Sequence, residues 1–182
     1  MRVIAGRAGG IRLNVPKREV RPTMDRVKAA IFSSLGETVI GARVLDLFAG
    51  TGGLGIEALS RGAEHVTFVE SDRRAQALIA ANLAHCRIET GYTVLRVPVA
   101  RGLEQLRADP AFAPFDIMLF DPPYDLDAER ALAGADAVLA SGGVLLLEHA
   151  RARAVPVSSG RLVQVRQVRS GDSTATFYEL RN

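Results

Sequence analysis

From about residue 42 the chain alternates between short apolar runs and amphipathic runs, and this alternation constrains its fold most. "RVLDLF" (43–48) and "HVTFVE" (65–70) are followed by "YTVLRV" (92–97), "FDIMLF" (115–120) and "GVLLLEH" (143–149), all with the length and apolar content of buried strands. Between them lie the helical patterns "LGIEALSRG" (54–62), "DRRAQALIAANLAHC" (72–86), "ARGLEQLR" (100–107) and "AERALAGADAVLA" (128–140). Such alternation predicts right-handed crossovers and an α/β, doubly wound, mostly parallel sheet with helices on both faces. Ser71 is placed to cap the second of these helices, and Gly62 to stop the first. "RLVQVRQV" (161–168), a polar turn and "TATFYEL" (174–180) predict a closing antiparallel hairpin.

The first 40 residues read as a separate unit. "RVIAG" and "GIRLNVP" flank "RAGG" like a small hairpin. "RPTMDRVKAAIFSSLG" then reads as a helix with Thr23 as N-cap, Val27, Ile31 and Leu35 on one face, and Gly36 at its end. This segment holds eight Lys or Arg (Arg2, Arg7, Arg12, Lys17, Arg18, Arg21, Arg26, Lys28) against three acids, whereas residues 41–182 hold 15 against 17. A basic extension on a slightly acidic body suggests an anionic polymer as partner, although a merely solvated surface explains the charge equally well. The division expected is therefore 1–40 and 41–182.

With 48% hydrophobic and 24% charged residues the composition is ordinary for a globular chain. Its one cysteine, Cys86, has no internal disulfide partner, and no Cys/His cluster has zinc spacing. His65, His85 and His149 are scattered at element edges and read as structural. The start lacks a signal-peptide pattern, and no apolar run is long enough for a membrane span. A soluble, cytoplasmic, metal-free and monomeric protein is expected.

After the first strand comes "DLFAGTGGLG". Gly50, Gly52 and Gly55 fit G-x-G-x-x-G, and Glu70 stands 20 residues beyond Gly50 at the end of the second strand. In a doubly wound sheet this pattern puts a nucleoside-bearing ligand over the carboxyl ends of the strands, with the acid on the ribose. It fits a dinucleotide or S-adenosylmethionine. Asp46, just before the loop, favours the second, because an anion suits an ammonium and a sulfonium and repels a pyrophosphate.

"DPPY" (121–124) ends the fourth strand. Two prolines fix two φ angles and push Asp121 into an extended conformation. The Asp121 carboxylate and the Pro122 carbonyl thus become two rigid acceptors. Aimed at the hydrogens of an exocyclic amine, they would localise its lone pair without reorganisation during the reaction. The Tyr124 ring could stack on the base.

Asp-Leu-Phe-Ala-Gly-Thr-Gly resembles the first motif of class I methyltransferases, and "DPPY" resembles the fourth motif of amino-methyltransferases. The "RPTMDRV" segment, the opening "RVIAG" with "GIRL", and "SGDSTATFYEL" extend the resemblance over the chain to the RsmD family, which methylates the guanine N2 amine in small-subunit (16S) ribosomal RNA. That resemblance implies S-adenosylmethionine as cofactor and ribosomal RNA or the small ribosomal subunit as partner. It implies a cofactor site at Asp46, Phe48, Ala49, Gly50, Thr51, Gly52, Glu70 and Ser71. Catalysis would fall to Asp121, Pro122, Pro123 and Tyr124. Arg21, Thr23 and Arg26 would close the site, with Arg2, Arg7 and Arg12 of the hairpin gripping phosphate. Such enzymes often carry an Asp near the adenine; here "VPVARGL" offers only backbone and apolar cover at Val99 and Ala100.

Three rivals remain. An amino-methyltransferase acting on adenine N6 or cytosine N4 keeps the chemistry and changes the acceptor. An NAD-dependent oxidoreductase explains the glycine loop but gives "DPPY" no role. A non-catalytic RNA-binding module predicts erosion at Asp46, Glu70 or "DPPY", and none is seen.

Overall fold

The computed structural model describes residues 1–16, 23–123 and 126–181; Arg21 and Tyr124 lie outside these residues. One eight-stranded sheet has the order β3-β2-β1-β4-β5-β8-β7-β6. Its strands are β1 (Arg43–Leu47), β2 (His65–Val69), β3 (Tyr92–Leu95), β4 (Phe115–Phe120), β5 (Leu139–Ala150), β6 (Ser158–Ser159), β7 (Leu162–Ser170) and β8 (Ser173–Leu180). The first five are parallel neighbours, and β8, β7 and β6 continue antiparallel. Strand order therefore reverses between β1 and β4, where doubly wound sheets hold ligands.

Alternation of side chains along each strand sorts the core into two layers. Val44, Phe68, Leu119 and Leu146 face one way, with α1 (Thr23–Leu35), α2 (Gly53–Ser60) and α3 (Arg73–His85) packed over them. Leu45, Val69, Phe120 and Leu147 face the other way, under α4 (Val99–Ala108) and α5 (Ala128–Leu132). In α1 the expected face of Val27, Ile31 and Leu35 is buried, and Gly36, at φ 58°, ends the helix.

Two local expectations need correction. The helix predicted over 128–140 stops at Leu132, because Gly134 adopts φ 76°, and only a short 3-10 turn follows at Ala135–Ala137. Asp72, not Ser71, caps α3. Its carboxylate accepts from the Arg74 and Ala75 amides at 2.9 and 2.8 Å, which Ser71, one residue too early, leaves to it.

The N-terminal hairpin forms one antiparallel bridge, Arg2 with Arg12, and packs onto the sheet's own core through Val3, Ala8 and Leu13. Glu57 of α2, wholly buried, holds it there. Its carboxylate accepts from the Ile4 and Ala5 amides at 2.7 and 3.0 Å. It also pairs with Lys28 at 3.4 Å and Arg61 at 2.7 Å. Ser60 accepts from the Ala8 amide and donates to the Ala5 carbonyl. Gly6 passes so close that a Cβ there would lie 1.8 Å from the Ser60 carbonyl oxygen.

Candidate active site

The glycine loop leaves β1 through Phe48, which has a positive φ of 59°, and turns again at Gly50 (55°) and Gly52 (78°) before α2 begins. No group within 3.5 Å would meet a Cβ on Gly50, so its bareness keeps ligand space open. Gly55 serves packing: a Cβ there would sit 2.3 Å from the Phe68 ring and 2.8 Å from the Asp46 carboxylate. Glu70 braces the loop, accepting from the Gly50 amide at 2.8 Å with one oxygen and from the Asp72 amide at 2.8 Å with the other. Asn82 donates to the Thr51 carbonyl at 2.9 Å.

The loop forms one wall of an open cleft. Asp46, Phe48, Ala49, Gly50, Thr51 and Asp121, six of the twelve residues expected to hold the cofactor or act on the amine, line it. Met1, Lys28, Gly53, Leu54 and Glu148, which no motif marks, also line it. Gly52 is buried behind the loop against Ile56, Ile79 and Phe68. Ser71 is exposed in a separate hollow with Arg73, Gln76 and Arg96. Pro122 lines an adjoining hollow with Asp121, Glu148, His149 and Arg153, and Pro123 is exposed. Val99 opens α4 half-buried, and Ala100 is exposed.

Four acids share the cleft's face of the sheet. Asp46 follows Val44 by two residues, Glu70 follows Phe68, Asp121 follows Leu119 and Glu148 follows Leu146. Period-two alternation therefore sends all four side chains the same way at the carboxyl ends of β1, β2, β4 and β5. Leu119 is paired with Leu146, so Asp121 and Glu148 come out side by side. Asp46 is 1% exposed and accepts from the Gly55 amide at 2.8 Å, in the first turn of α2. Burial pushes its pKa well above the ordinary carboxylate value, the Gly55 hydrogen bond pulls it back, and the Asp121 and Glu70 charges add to the rise. Burial, and then the Asp121 charge, raise Glu148 to about 8, against a hydrogen bond from Ser173. A cation bound beside Asp46, between the ends of β1 and β2, would relieve the repulsion between Asp46 and Glu70. The donor set thus fits the ammonium and sulfonium of S-adenosylmethionine and opposes a pyrophosphate.

The basic residues separate in space. Arg2, Arg12 and Arg26 are exposed, and Arg2 pairs with Asp25 at 3.8 Å. The Leu13 amide donates to the Met1 carbonyl, which keeps Arg2 and Arg12 near the cleft rim formed by Met1. Arg7 is also exposed, but its amide donates to the Ser60 carbonyl at the far end of α2, about 10 Å along the helix from the cleft-lining Gly53. Thr23 is the first residue of α1. Lys28, counted with the basic segment, is not a surface charge: it is 3% exposed and donates to the Arg2 carbonyl. Burial lowers its pKa, against the attraction of Glu57.

The chain matches, over residues 1–179, the family described as "Conserved hypothetical protein 95". It is 38% identical over the full length of both chains to YlbH of Bacillus subtilis (strain 168), a candidate rRNA methyltransferase. It is 36% identical to ribosomal RNA small subunit methyltransferase D of Escherichia coli (strain K12), over 68% of this chain and 60% of that one. The chain belongs to the RsmD family. Among solved structures, a hypothetical protein of Thermus thermophilus superposes with a TM-score of 0.83 at 28% identity, covering 99% of each chain. An Escherichia coli candidate methyltransferase, yhhF, gives 0.78 at 28% identity over 99% of this chain and 97% of that one. The fold is that of class I methyltransferases, and the RsmD-family chain is an S-adenosylmethionine-dependent methyltransferase. Among the described residues no group of three or more His, Cys, Asp or Glu is placed to hold a metal ion, and no helix is long and apolar enough to cross a membrane.

Proposed function

We propose that this chain transfers a methyl group from S-adenosylmethionine to the exocyclic N2 amine of a guanine in small-subunit ribosomal RNA, acting in the cytoplasm as a monomer. The observation that carries this reading is the position of Asp121. It leaves β4 on the same face as Asp46 and lines one cleft with Gly50.

Gly50, Glu70 and Asp46 hold the cofactor, which supplies an electrophilic methyl group on its sulfonium. The Asp121 carboxylate and the Pro122 carbonyl accept hydrogen bonds from the amine. They draw its nitrogen toward tetrahedral geometry, and Asp121 takes the proton released once the new N–C bond has formed. Positioning supplies most of the acceleration. Tyr124 stacks on the base. Residues 1–40 are the RNA-contacting part, with Arg2, Arg12 and Arg26 on phosphates near the rim. Arg21 and Thr23 help close the site, and Arg7 reaches a more distant stretch of the RNA.

The test is to incubate the protein with labelled S-adenosylmethionine and small ribosomal subunits lacking the modification, then digest the RNA and identify the nucleoside. N2-methylguanosine is expected. Label on adenine N6 or cytosine N4 would move the acceptor, and no transfer to any RNA would refute the reading.

A further inference from the structure

Glu148 is the acid in the cleft for which the chemistry above has no use. It stands at the end of β5, beside Asp121 at the end of β4, and both line the cleft and the adjoining hollow. It is not a free surface acid: it is half-buried, and Ser173 of β8 donates to its carboxyl. A carboxyl fixed next to the amine-holding acid must face whatever lies next to the amine.

What lies there differs among the bases. The N2 amine of guanine is flanked by the ring N1–H, a donor. The N6 amine of adenine is flanked by N1, and the N4 amine of cytosine by N3, and both are acceptors. Resting on the proposed reaction, we infer that Glu148 selects guanine by accepting a hydrogen bond from the ring N1–H while Asp121 holds the neighbouring amine. The assignment survives either ionisation state. Ionised, both Glu148 oxygens accept. Protonated, its hydroxyl finds its best partner in the Asp121 carboxylate, since charge-assisted bonds are the stronger ones, and its carbonyl oxygen still faces the base. An acceptor aimed at the ring nitrogen of adenine or cytosine would leave two lone pairs opposed and unpaired, which a desolvated site penalises heavily. Glu148 is thus a base-reading residue, distinct from the acid that handles the reacting nitrogen.

2-Aminopurine separates the two roles, because it keeps the 2-amine but presents a bare acceptor at N1. The experiment uses RNA carrying guanine or 2-aminopurine at the single nucleotide the parent protein methylates. Single-turnover rates and KM are measured for the parent and for Glu148→Gln. The parent should prefer guanine by about 100-fold in kcat/KM, the scale of one lost hydrogen bond with a buried group left unpaired. The glutamine amide offers both an acceptor and a donor, so Glu148→Gln should bring the two bases to within about tenfold, with most of the change in KM. S-adenosylmethionine affinity by calorimetry should stay at the parent value, which also establishes that the variant is folded. Guanine methylation by the parent with equal use of 2-aminopurine would overturn the inference with no variant involved. A Glu148→Gln protein that discriminates like the parent would overturn it too. In both cases the guanine-N2 reading would stand. Parent methylation of adenine N6 or cytosine N4 would overturn both.

Discussion

The Asn82 amide donates to the Thr51 carbonyl of the glycine loop at 2.9 Å and exchanges two further hydrogen bonds with the Asn14 backbone, at 2.7 and 3.0 Å. One fully buried side chain in α3 thus joins the N-terminal segment to the cofactor wall. Asn82→Ala strands three backbone groups. It should cost about 2–4 kcal/mol in urea unfolding, since buried groups left without partners cost about 1–3 kcal/mol each and some regain water. It should also weaken S-adenosylmethionine binding. Unchanged calorimetric affinity would mean that the Thr51 peptide holds its position without Asn82.

Glu57 offers a second test. Glu57→Ala leaves the Lys28 ammonium buried without its partner and frees the Ile4 and Ala5 amides. A loss of about 3–5 kcal/mol is expected, as when one member of a buried ion pair is removed. The double variant Glu57→Ala, Lys28→Met should recover part of it, because the stranded charge is gone. For the same reason, deleting residues 1–16 should unfold the domain rather than trim an arm, with the thermal melt as readout. A truncated protein melting like the parent would contradict the Glu57 anchor.

Asp121→Ala should lower the single-turnover rate by about 10²–10³, the range for loss of one preorganised polar group, while S-adenosylmethionine still binds. Asp121→Asn keeps an acceptor oxygen and loses the charge. If it retains much more activity than the alanine variant, hydrogen bonding to the amine dominates; if both are equally impaired, proton acceptance does. A fully active Asp121→Ala protein would remove the residue from the chemistry.

Stability should depend on pH through Glu148. Its folded-state pKa of about 8 lies above the ordinary 4.5, so between these values the folded chain holds a proton that the unfolded chain has released. The stabilisation is complete below about pH 4.5 and is lost as pH rises toward 8. Asp46, also raised, acts in the same direction. His65 and His149, lowered by burial, oppose it below pH 6.5, and Lys28, also lowered, opposes it toward high pH. The decisive comparison is therefore parent against Glu148→Gln in urea at pH 5, 6.5 and 8. The variant should lose less stability over the series, and parallel curves would exclude a titrating Glu148.

RNA affinity should fall steeply with salt. Arg12→Ala and Arg26→Ala should each reduce the slope of log K against log salt by about one. Arg2→Ala should reduce it less, since Asp25 already neutralises part of that charge. Salt-independent binding, measured by filter retention, would rule out phosphate contacts by this face.

The sheet, its edge hairpin and the glycine loop were legible because each rests on local signals: apolar period, turn residues and a fixed spacing to Glu70. Glu148 was not, because its position depends on β5 lying in register beside β4, which no local pattern encodes. The rule that sites gather at the carboxyl ends of neighbouring strands could have flagged "LLLEH" as it flagged "LFDPP". The anchoring of the hairpin was hidden for a related reason. Glu57 in "GIEALS" looks like any polar helix position until the amides of Ile4 and Ala5 are brought to it from more than 50 residues away. The break at Gly134 illustrates the limit of composition. An alanine-rich run has high helix propensity, yet one left-handed glycine ends it.

Those long separations also set an order of assembly. The amides of Ile4, Ala5, Ala8 and Asn14 find partners 52 to 68 residues further along the chain. During synthesis the hairpin therefore leaves the ribosome with nothing to dock on until α2 and then α3 have emerged. Contacts of such range close slowly. The hairpin, made before its partners, is among the last parts to settle, and Asn82 completes both its seat and the cofactor wall in one late step.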